Sequence, residues 1–251
     1  MREFKHIQGL LSQVRRAVDG YDMIESGDTV GVGVSGGKDS MALVCALKAL
    51  SRFYSLPFTV KAITLETGTP GFDPDPVKRL CEDIDVELII NKTDIYQIVF
   101  ELRKESNPCS LCANLRRGAL YDTAVANGIK KVALGHHYDD ALETFFMNLF
   151  NEGRIACFSP VTYLDRTGVT LIRPFIYTPE ADIKRFINAE NIALAGKTCP
   201  ADGFTDREKM KNMIREFERA DHGFKKRVFG AIERGGVSGF KVVPHARKKR
   251  G

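Results

Sequence analysis

The sequence predicts an α/β fold built on a doubly wound, mostly parallel sheet, and three observations support this prediction. Short runs of β-branched residues alternate with longer segments whose apolar residues recur at helical spacing. A glycine-rich turn joins the first of these strands to the helix that follows it. Polar residues come directly after several of the strands, at the edge where doubly wound sheets bind their ligands.

Spacing and turn residues predict the elements in chain order. Phe4, Ile7, Leu11 and Val14 repeat at helical spacing, so we expect an amphipathic helix that ends near Gly20. We expect strands over 30–34, 58–65, 86–91, 130–135 and 168–172. We expect further helices over 41–53, 77–83, 95–104, 114–127, 139–151, 179–190 and 205–220, with a cysteine-containing loop before 114.

The composition is that of a globular protein. Of the 251 residues, 43% are hydrophobic and 27% are charged, which is sufficient for one good core. The sequence contains no signal peptide and no apolar run that approaches a membrane span, so we expect a cytoplasmic protein without a membrane partner. Six cysteines in such a chain indicate thiol or metal chemistry rather than disulfides.

The segment 30–40 predicts an anion site. Val30, Val32 and Val34 alternate with glycines and form a buried strand, and an apolar helix begins shortly after it. Between them, the free N–H groups of the turn and the positive end of the helix dipole favour a phosphate group. Lys38 adds a mobile cation. The candidate phosphate-binding residues are Ser35, Gly36, Gly37, Lys38, Asp39 and Ser40.

Two common phosphate motifs fit this loop less well. The Walker pattern fails twice, because Val32 stands where a glycine is needed and Asp39 where Ser or Thr is needed. A dinucleotide fingerprint does occur at Gly31, Gly33 and Gly36, and Glu66 follows the second strand as a ribose-binding acid would. However, two of those glycines lie inside the strand rather than in the turn, so nicotinamide binding is the weaker alternative.

The run Ser-Gly-Gly-Lys-Asp-Ser resembles the pyrophosphate loop of the PP-loop ATPases. The resemblance implies the adenine nucleotide alpha-hydrolase-like (PP-loop/HUP) form of the fold and cleavage of ATP, with Mg²⁺, between the α and β phosphates. It implies that an adenylated substrate forms. It adds Val34, Leu65, Gly135 and His136 to the ATP-binding residues and gives Lys38 and Asp39 catalytic roles. We expect a single domain over 1–251, with an N-terminal helix at 1–21, a nucleotide-binding core at 22–178 and a C-terminal helical extension at 179–251.

A C-x-x-C pair and one distant cysteine form the second candidate site. By themselves Cys109 and Cys112 are compatible with redox, zinc or cluster chemistry. The surrounding segment 108–118 is similar to that of the tRNA 2-thiocytidine synthetase (TtcA) group of PP-loop enzymes. This resemblance implies a [4Fe-4S] cluster held by Cys109, Cys112 and Cys199. Zinc is the alternative occupant, with His222 or His245 as a fourth ligand.

The run Gly135-His136-His137-Tyr138-Asp139-Asp140 follows the fourth strand and opens a helix. Two carboxylates at a helix N-terminus can serve as caps, but capping uses only one of them. The run resembles an element of tRNA-modifying PP-loop enzymes in which an aspartate is implicated in catalysis or magnesium positioning. We assign that role to Asp139 as a hypothesis. The residues alone do not separate the roles of the two histidines.

Together, the resemblances imply an ATP-dependent tRNA sulfurtransferase. A base oxygen of tRNA is adenylated, and sulfur then displaces AMP, most simply giving a 2-thiocytidine-type product. A cysteine desulfurase or free sulfide is the expected sulfur donor, and a homodimer is one arrangement. Alternatives are an adenylate-forming ligase, and an iron–sulfur protein that carries sulfur or electrons without thiolating RNA. Candidate RNA-backbone contacts, for which a solvated or structural role stays open, are Arg116, Arg117, Arg247, Lys248, Lys249 and Arg250.

Overall fold

A six-stranded sheet forms the centre of the protein, in the order β3-β2-β1-β4-β6-β5. The computed structural model describes residues 2–103, 108–196 and 206–244. Five strands run parallel and β5 is antiparallel to β6 at one edge, which confirms the predicted fold class. The strands are β1 Thr29–Gly33, β2 Thr59–Glu66, β3 Glu87–Lys92, β4 Lys131–Ala133, β5 Val161–Leu164 and β6 Val169–Ile172.

Helices cover both faces of the sheet within the described ranges. They are α1 Gln8–Gly20, α2 Lys38–Ser51, α3 Asp75–Ile84, α4 Pro108–Ala126, α5 Tyr138–Glu152, α6 Glu180–Ala189, α7 Asp206–Ala220 and α8 Phe224–Arg234. The larger core cluster includes buried residues of α1, α2, α3, α5 and α6. A smaller cluster on the other side joins α4 to the sheet through Leu120, Ala124 and Ile63. No helix in the described part of the chain is long and apolar enough to cross a membrane.

Strand β1 packs closely against its neighbours on the face that carries its two glycines. Val30 and Val32 are fully buried. A Cβ at Gly31 would lie 3.0 Å from the side chains of both Ile129 and Ile63, and a Cβ at Gly33 would lie 3.1 Å from Leu120. The glycines therefore permit close packing between this strand and the elements around it.

The strand order reverses between β1 and β4, so a crevice opens beyond the carboxyl ends of these two strands. The first turn of α2 and the residues after β4 approach each other closely there. A Cβ at Gly135 would lie 3.2 Å from the backbone carbon of Asp39 and 3.2 Å from the backbone nitrogen of Ser40. The sheet topology thus brings the turn after β1 and the turn after β4 to one point.

Several elements differ from the sequence predictions. The two cysteines of the C-x-x-C lie within the first turns of α4, which begins at Pro108, and not in a loop before a helix at 114. The segment after Asp94 forms a π-helix, Gln97–Arg103, where an α-helix is predicted. Strand β5 and helix α8 were not predicted, because β5 is a short, partly exposed edge strand and α8 has a largely charged surface.

Candidate active site

The turn between β1 and α2 is a preformed loop. Gly36 has a φ of +79°, which favours glycine, and Gly37 is the extended N-cap residue of α2. The Ser40 hydroxyl accepts the Ser35 N–H at 3.1 Å and donates to the Gly37 carbonyl at 3.0 Å. These bonds hold the backbone of the loop in a turn beside the N-terminus of a fourteen-residue helix, where phosphate groups bind.

Two hydrogen bonds from other parts of the chain fix the backbone of this loop. The buried Thr64 hydroxyl on β2 donates to the Val34 carbonyl at 2.9 Å. From the other side, the Ala195 N–H donates to the Gly36 carbonyl at 3.1 Å. A Cβ at Gly36 would overlap the Ala195 methyl group, so the segment after α6 packs directly on the loop. Neither Thr64 nor Ala195 was identified from the sequence.

A cavity of about 610 Å³ extends from this loop and contains most of the predicted site. The predicted residues that line it belong to the phosphate loop, to the ends of β2 and β4, and to helix α4. They are Val34, Ser35, Gly37, Asp39, Ser40, Leu65, Gly135, His136, Cys112, Arg116 and Arg117. The structure therefore brings the anion site and one cysteine of the C-x-x-C to the same cavity.

The Asp39 carboxylate has one oxygen available for a cation. Its Oδ2 accepts from Lys38 at 2.8 Å, whereas the buried Oδ1 has no hydrogen-bond partner among the described residues. His137 Nε2 lies 3.7 Å from that oxygen, beyond hydrogen-bond distance. A buried carboxylate oxygen without a donor, next to an anion site, is suited to Mg²⁺, which prefers oxygen ligands and bridges phosphates. Asp39 therefore fits a magnesium ligand.

Asp139 has a different environment from the one expected of a residue that faces a metal. Its Oδ2 accepts the Glu180 N–H at 2.8 Å and its Oδ1 accepts from Lys225 at 2.7 Å. Burial alone would raise the pKa of Asp139, but the Glu180 N–H and Lys225 outweigh it and hold the pKa below its usual range. Both oxygens are thus engaged by α6 and α8. Its catalytic role stays a prediction.

The two histidines after β4 have separate roles. His137 caps α5: its Nδ1 accepts the Asp140 N–H at 3.3 Å, and its own N–H donates to Asp140 Oδ2 at 2.9 Å. His136 lines the cavity, and its Nδ1 accepts from Arg173 Nε at 3.3 Å. Burial, followed by the Arg173 charge, lowers the pKa of His136 to about 4, so its ring is neutral at pH 7. Because Nδ1 accepts from Arg173, the proton of the neutral ring is on Nε2.

The cysteines fall into two groups. Cys109 is exposed and Cys112 half-buried, three residues apart in the first turns of α4, a spacing that puts both thiols on one helix face. Burial raises the pKa of Cys81 and of Cys157 to about 12, so these thiols stay protonated. Cys199 and the basic tail residues Arg247, Lys248, Lys249 and Arg250 lie outside the described residues.

A family model described as "PP-loop domain" matches residues 10–216, most of the chain. The chain belongs to the PP-loop family. This match confirms the family membership that the Ser-Gly-Gly-Lys-Asp-Ser motif indicated.

Two relatives of this PP-loop protein are tRNA-cytidine(32) 2-sulfurtransferases. The one from Geotalea daltonii is 38% identical over 224 residues, which are 88% of this chain and 89% of that protein. The one from Pelobacter propionicus is 36% identical over 222 residues, 87% of this chain and 82% of that protein. These relatives confirm the predicted membership of the tRNA 2-thiocytidine synthetase group.

A solved structure shares the fold. The U34-tRNA thiolase NcsA from Methanococcus maripaludis, with its [4Fe-4S] cluster, superposes with a TM-score of 0.74 and covers 91% of this chain and 78% of that one. The two sequences are 22% identical, so the likeness concerns the fold.

Other PP-loop site residues were missed by sequence reasoning. Thr67, Thr69 and Phe72 line the cavity from the loop after β2, where the density of turn formers predicted only a loop. Glu180 and Arg173 contact the predicted residues Lys38 and His136 from distant parts of the chain. Sequence spacing carries no signal for such pairs, because the fold alone brings them together.

Proposed function

We propose that this PP-loop protein is an ATP-dependent tRNA sulfurtransferase that converts a cytidine of tRNA to 2-thiocytidine. The observation that carries the proposal is that Cys112 and the phosphate loop line one cavity. ATP activates the O2 oxygen of the base and sulfur then attacks the C2 carbon that bears it, so the residues for both steps must share a site. The names of the relatives, tRNA-cytidine(32) 2-sulfurtransferase, favour cytidine 32 as the target.

The phosphate loop holds ATP in this proposal. The backbone N–H groups of the loop and the N-terminus of α2 bind the β and γ phosphates. Asp39 Oδ1 takes part in Mg²⁺ binding, and Lys38 neutralises the leaving pyrophosphate. The ends of β2 and β4, at Leu65 and Gly135, flank the adenosine. Preorganised donors of this kind stabilise developing phosphate charge by several kcal/mol.

The reaction then takes two steps. The O2 oxygen of the cytosine attacks the α-phosphorus, and the bond to pyrophosphate breaks, which leaves the base adenylated at that oxygen. Sulfide attacks C2, and AMP departs with the oxygen and its bonding electrons. The oxygen leaves readily only after adenylation, which explains the need for ATP. His136, a neutral N–H donor in the cavity, is placed to hydrogen-bond to the nucleotide or the base.

The cysteines supply the sulfur site in this proposal. Thiolates three residues apart on a helix can ligate one metal centre, and in this proposal Cys199 is the third ligand. Gly196 lines the cavity and precedes Cys199 by three residues, a connection that reaches at most about 11 Å. An iron–sulfur cluster with three protein ligands would present an open iron for an exogenous sulfur; zinc is the alternative occupant.

Further parts of the proposal concern partners. Arg116 and Arg117 are exposed on α4, line the cavity and can contact RNA phosphates. A cysteine desulfurase or free sulfide supplies the sulfur. A cytoplasmic location suits a tRNA substrate, and a homodimer fits the proposal as well as a monomer does.

The test is a thiolation assay on protein purified without oxygen. Unmodified tRNA, ATP, Mg²⁺ and sulfide are supplied, and nucleoside mass spectrometry measures 2-thiocytidine while AMP and pyrophosphate are quantified. We expect both product classes from the wild type, and loss of 2-thiocytidine from Cys112→Ala. Cys81→Ala is the matched control, because its thiol is buried in α3 and does not line the cavity. AMP release without 2-thiocytidine in the wild type would indicate a non-thiolating ligase instead.

A further inference from the structure

Three lysines converge on the carboxylate of Glu180 at the start of α6. Lys38 and Lys184 lie 3.1 Å and 3.0 Å from Oε1, and Lys211 lies 3.1 Å from Oε2. The Glu180 side chain is 13% exposed. Burial alone would raise the pKa of Glu180, but hydrogen bonds from Lys184 and Lys38 hold it well below its usual range. The carboxylate is therefore ionised and has more cationic partners than one charge requires.

Lys38 bridges two carboxylates beside the phosphate loop. Its Nζ lies 2.8 Å from Asp39 Oδ2 and 3.1 Å from Glu180 Oε1. Burial alone would lower the pKa of Lys38, but the hydrogen bonds to Asp39 and Glu180 raise it. Among the described residues, the cavity lining includes Gly37 and Asp39 on either side of Lys38 but not Lys38 itself. The ammonium group is thus held away from the space where phosphates would bind.

We propose that Glu180 is a positioning residue that holds Lys38 beside the loop and releases it to the phosphates when ATP binds. The inference rests on the proposed function only in taking ATP as the ligand. Lys184 and Lys211 stay on Glu180 after Lys38 leaves, so no buried carboxylate is left without a cation. A carboxylate paired with Lys38 alone would resist the exchange, since an unpaired buried charge is strongly unfavourable.

The backbone of Glu180 is fixed independently of its side chain. Its N–H donates to Asp139 Oδ2 at 2.8 Å, and Lys225 of α8 holds the other oxygen of Asp139. Lys211 belongs to α7, so the carboxylate is also held from a third helix. Glu180 therefore stays in place while one of its three partners moves, as a positioning residue requires.

The first experiment compares Glu180→Gln with the wild type in binding a non-hydrolysable ATP analogue and AMP, each with Mg²⁺, by titration calorimetry. We expect the variant to bind the analogue about three- to tenfold more tightly, because Lys38 has lost one competing carboxylate. AMP lacks the β and γ phosphates, so its affinity should not change. Asp182→Asn is the matched control: it removes the same charge from α6, and Asp182 contacts Gln13 and Arg185 rather than Lys38.

A double-mutant cycle separates the release of Lys38 from Glu180 from the general effect of removing a negative charge near the phosphates. In a Lys38→Met background, Glu180→Gln should leave the affinity for the analogue unchanged, because the effect acts through Lys38. An increase that persists in that background, or an affinity that Glu180→Gln leaves equal or lowers, would overturn the inference. If Glu180→Gln does not fold, Lys211→Met is used in its place. Loss of Lys211 strengthens the Lys38–Glu180 pair, so this variant should bind the ATP analogue more weakly, and only when Lys38 is present. A wild type that binds no analogue would contradict the proposed function instead.

Discussion

At the scale of single residues, the site depends on polar atoms whose partners come from distant parts of the chain. Asp39, Lys38 and Asp139 were all chosen from short motifs, yet their environments differ. Asp39 retains an oxygen without a donor in the described part of the chain, whereas both oxygens of Asp139 are engaged. The motifs identified carboxylates that could bind a metal ion. The packing of α6 and α8 determines which of them keeps an oxygen available for it.

Asp39→Asn should abolish the response to magnesium. The substitution replaces one carboxylate oxygen with an amide and removes the charge next to the phosphates, while the side chain keeps its size. We expect kcat for thiolation to fall by about 100-fold or more, because metal neutralisation of phosphate charge contributes several kcal/mol. A Mg²⁺ titration of AMP formation measures the change.

The control for this prediction is Asp122→Asn, which makes the same substitution at an exposed position on α4. It should titrate with Mg²⁺ as the wild type does. A wild-type Mg²⁺ titration for Asp39→Asn would exclude Asp39 as the metal ligand and return attention to Asp140, which also lines the cavity.

At the scale of elements, the sequence predicted the parts with local signals and missed those without them. The glycine turn after β1 and the helix after β4 are specified by residues within a few positions, and both form as expected. The sequence predicted a cysteine-containing loop before 114. Pro108 instead occupies the first position of α4, where its missing N–H costs nothing. Contacts such as Ala195 on Gly36 join residues about 160 positions apart, and no local pattern predicts them.

Gly135→Ala tests whether the turns after β1 and β4 need their close approach. Gly135 is not among the glycines with positive φ, so the backbone tolerates alanine, and the expected effect comes from packing alone. The new Cβ would lie 3.2 Å from the backbone of Asp39 and Ser40, which must shift. We expect a loss of about 1–3 kcal/mol in the free energy of unfolding, and weaker binding of an ATP analogue.

Gly9→Ala is the control, since a Cβ there meets nothing within 4 Å in the first turn of α1. It should leave nucleotide binding unchanged and raise stability by up to about 1 kcal/mol. Denaturant unfolding and calorimetry measure both variants. Equal nucleotide affinity in Gly135→Ala and the wild type would show that the loop does not depend on this contact.

At the scale of the whole molecule, two buried titratable groups, His136 and Glu143, make the stability of the fold depend on pH in opposite directions. His136 has a folded-state pKa of about 4, below its usual value of 6.5. Its contribution to the free energy of unfolding is therefore complete above pH 6.5 and is lost as the pH falls towards 4. Glu143 on α5 behaves oppositely. Burial, followed by the charge of Asp140, raises its pKa from 4.5 to about 7. The contribution of Glu143 is therefore complete below pH 4.5 and is lost as the pH rises through 7.

Glu143→Gln should consequently stabilise the protein as the pH rises from 4.5 to 7. The charged groups that act on Glu143 come from two helices: Asp140 and Asp139 raise its pKa, and Arg207 and Lys211 lower it. Glutamine keeps the size of the side chain and removes the cost of ionising a buried carboxyl, which is on the order of 2–3 kcal/mol for such a shift.

We expect Glu143→Gln and the wild type to differ little in the free energy of unfolding at pH 4.5, and the variant to become steadily more stable than the wild type between pH 4.5 and 7. Urea unfolding across this range measures the difference, and Glu208→Gln is the control, because it makes the same substitution at an exposed position on α7. A constant difference between Glu143→Gln and the wild type across this range would contradict the prediction, because it would mean that ionisation of Glu143 does not lower the free energy of unfolding there.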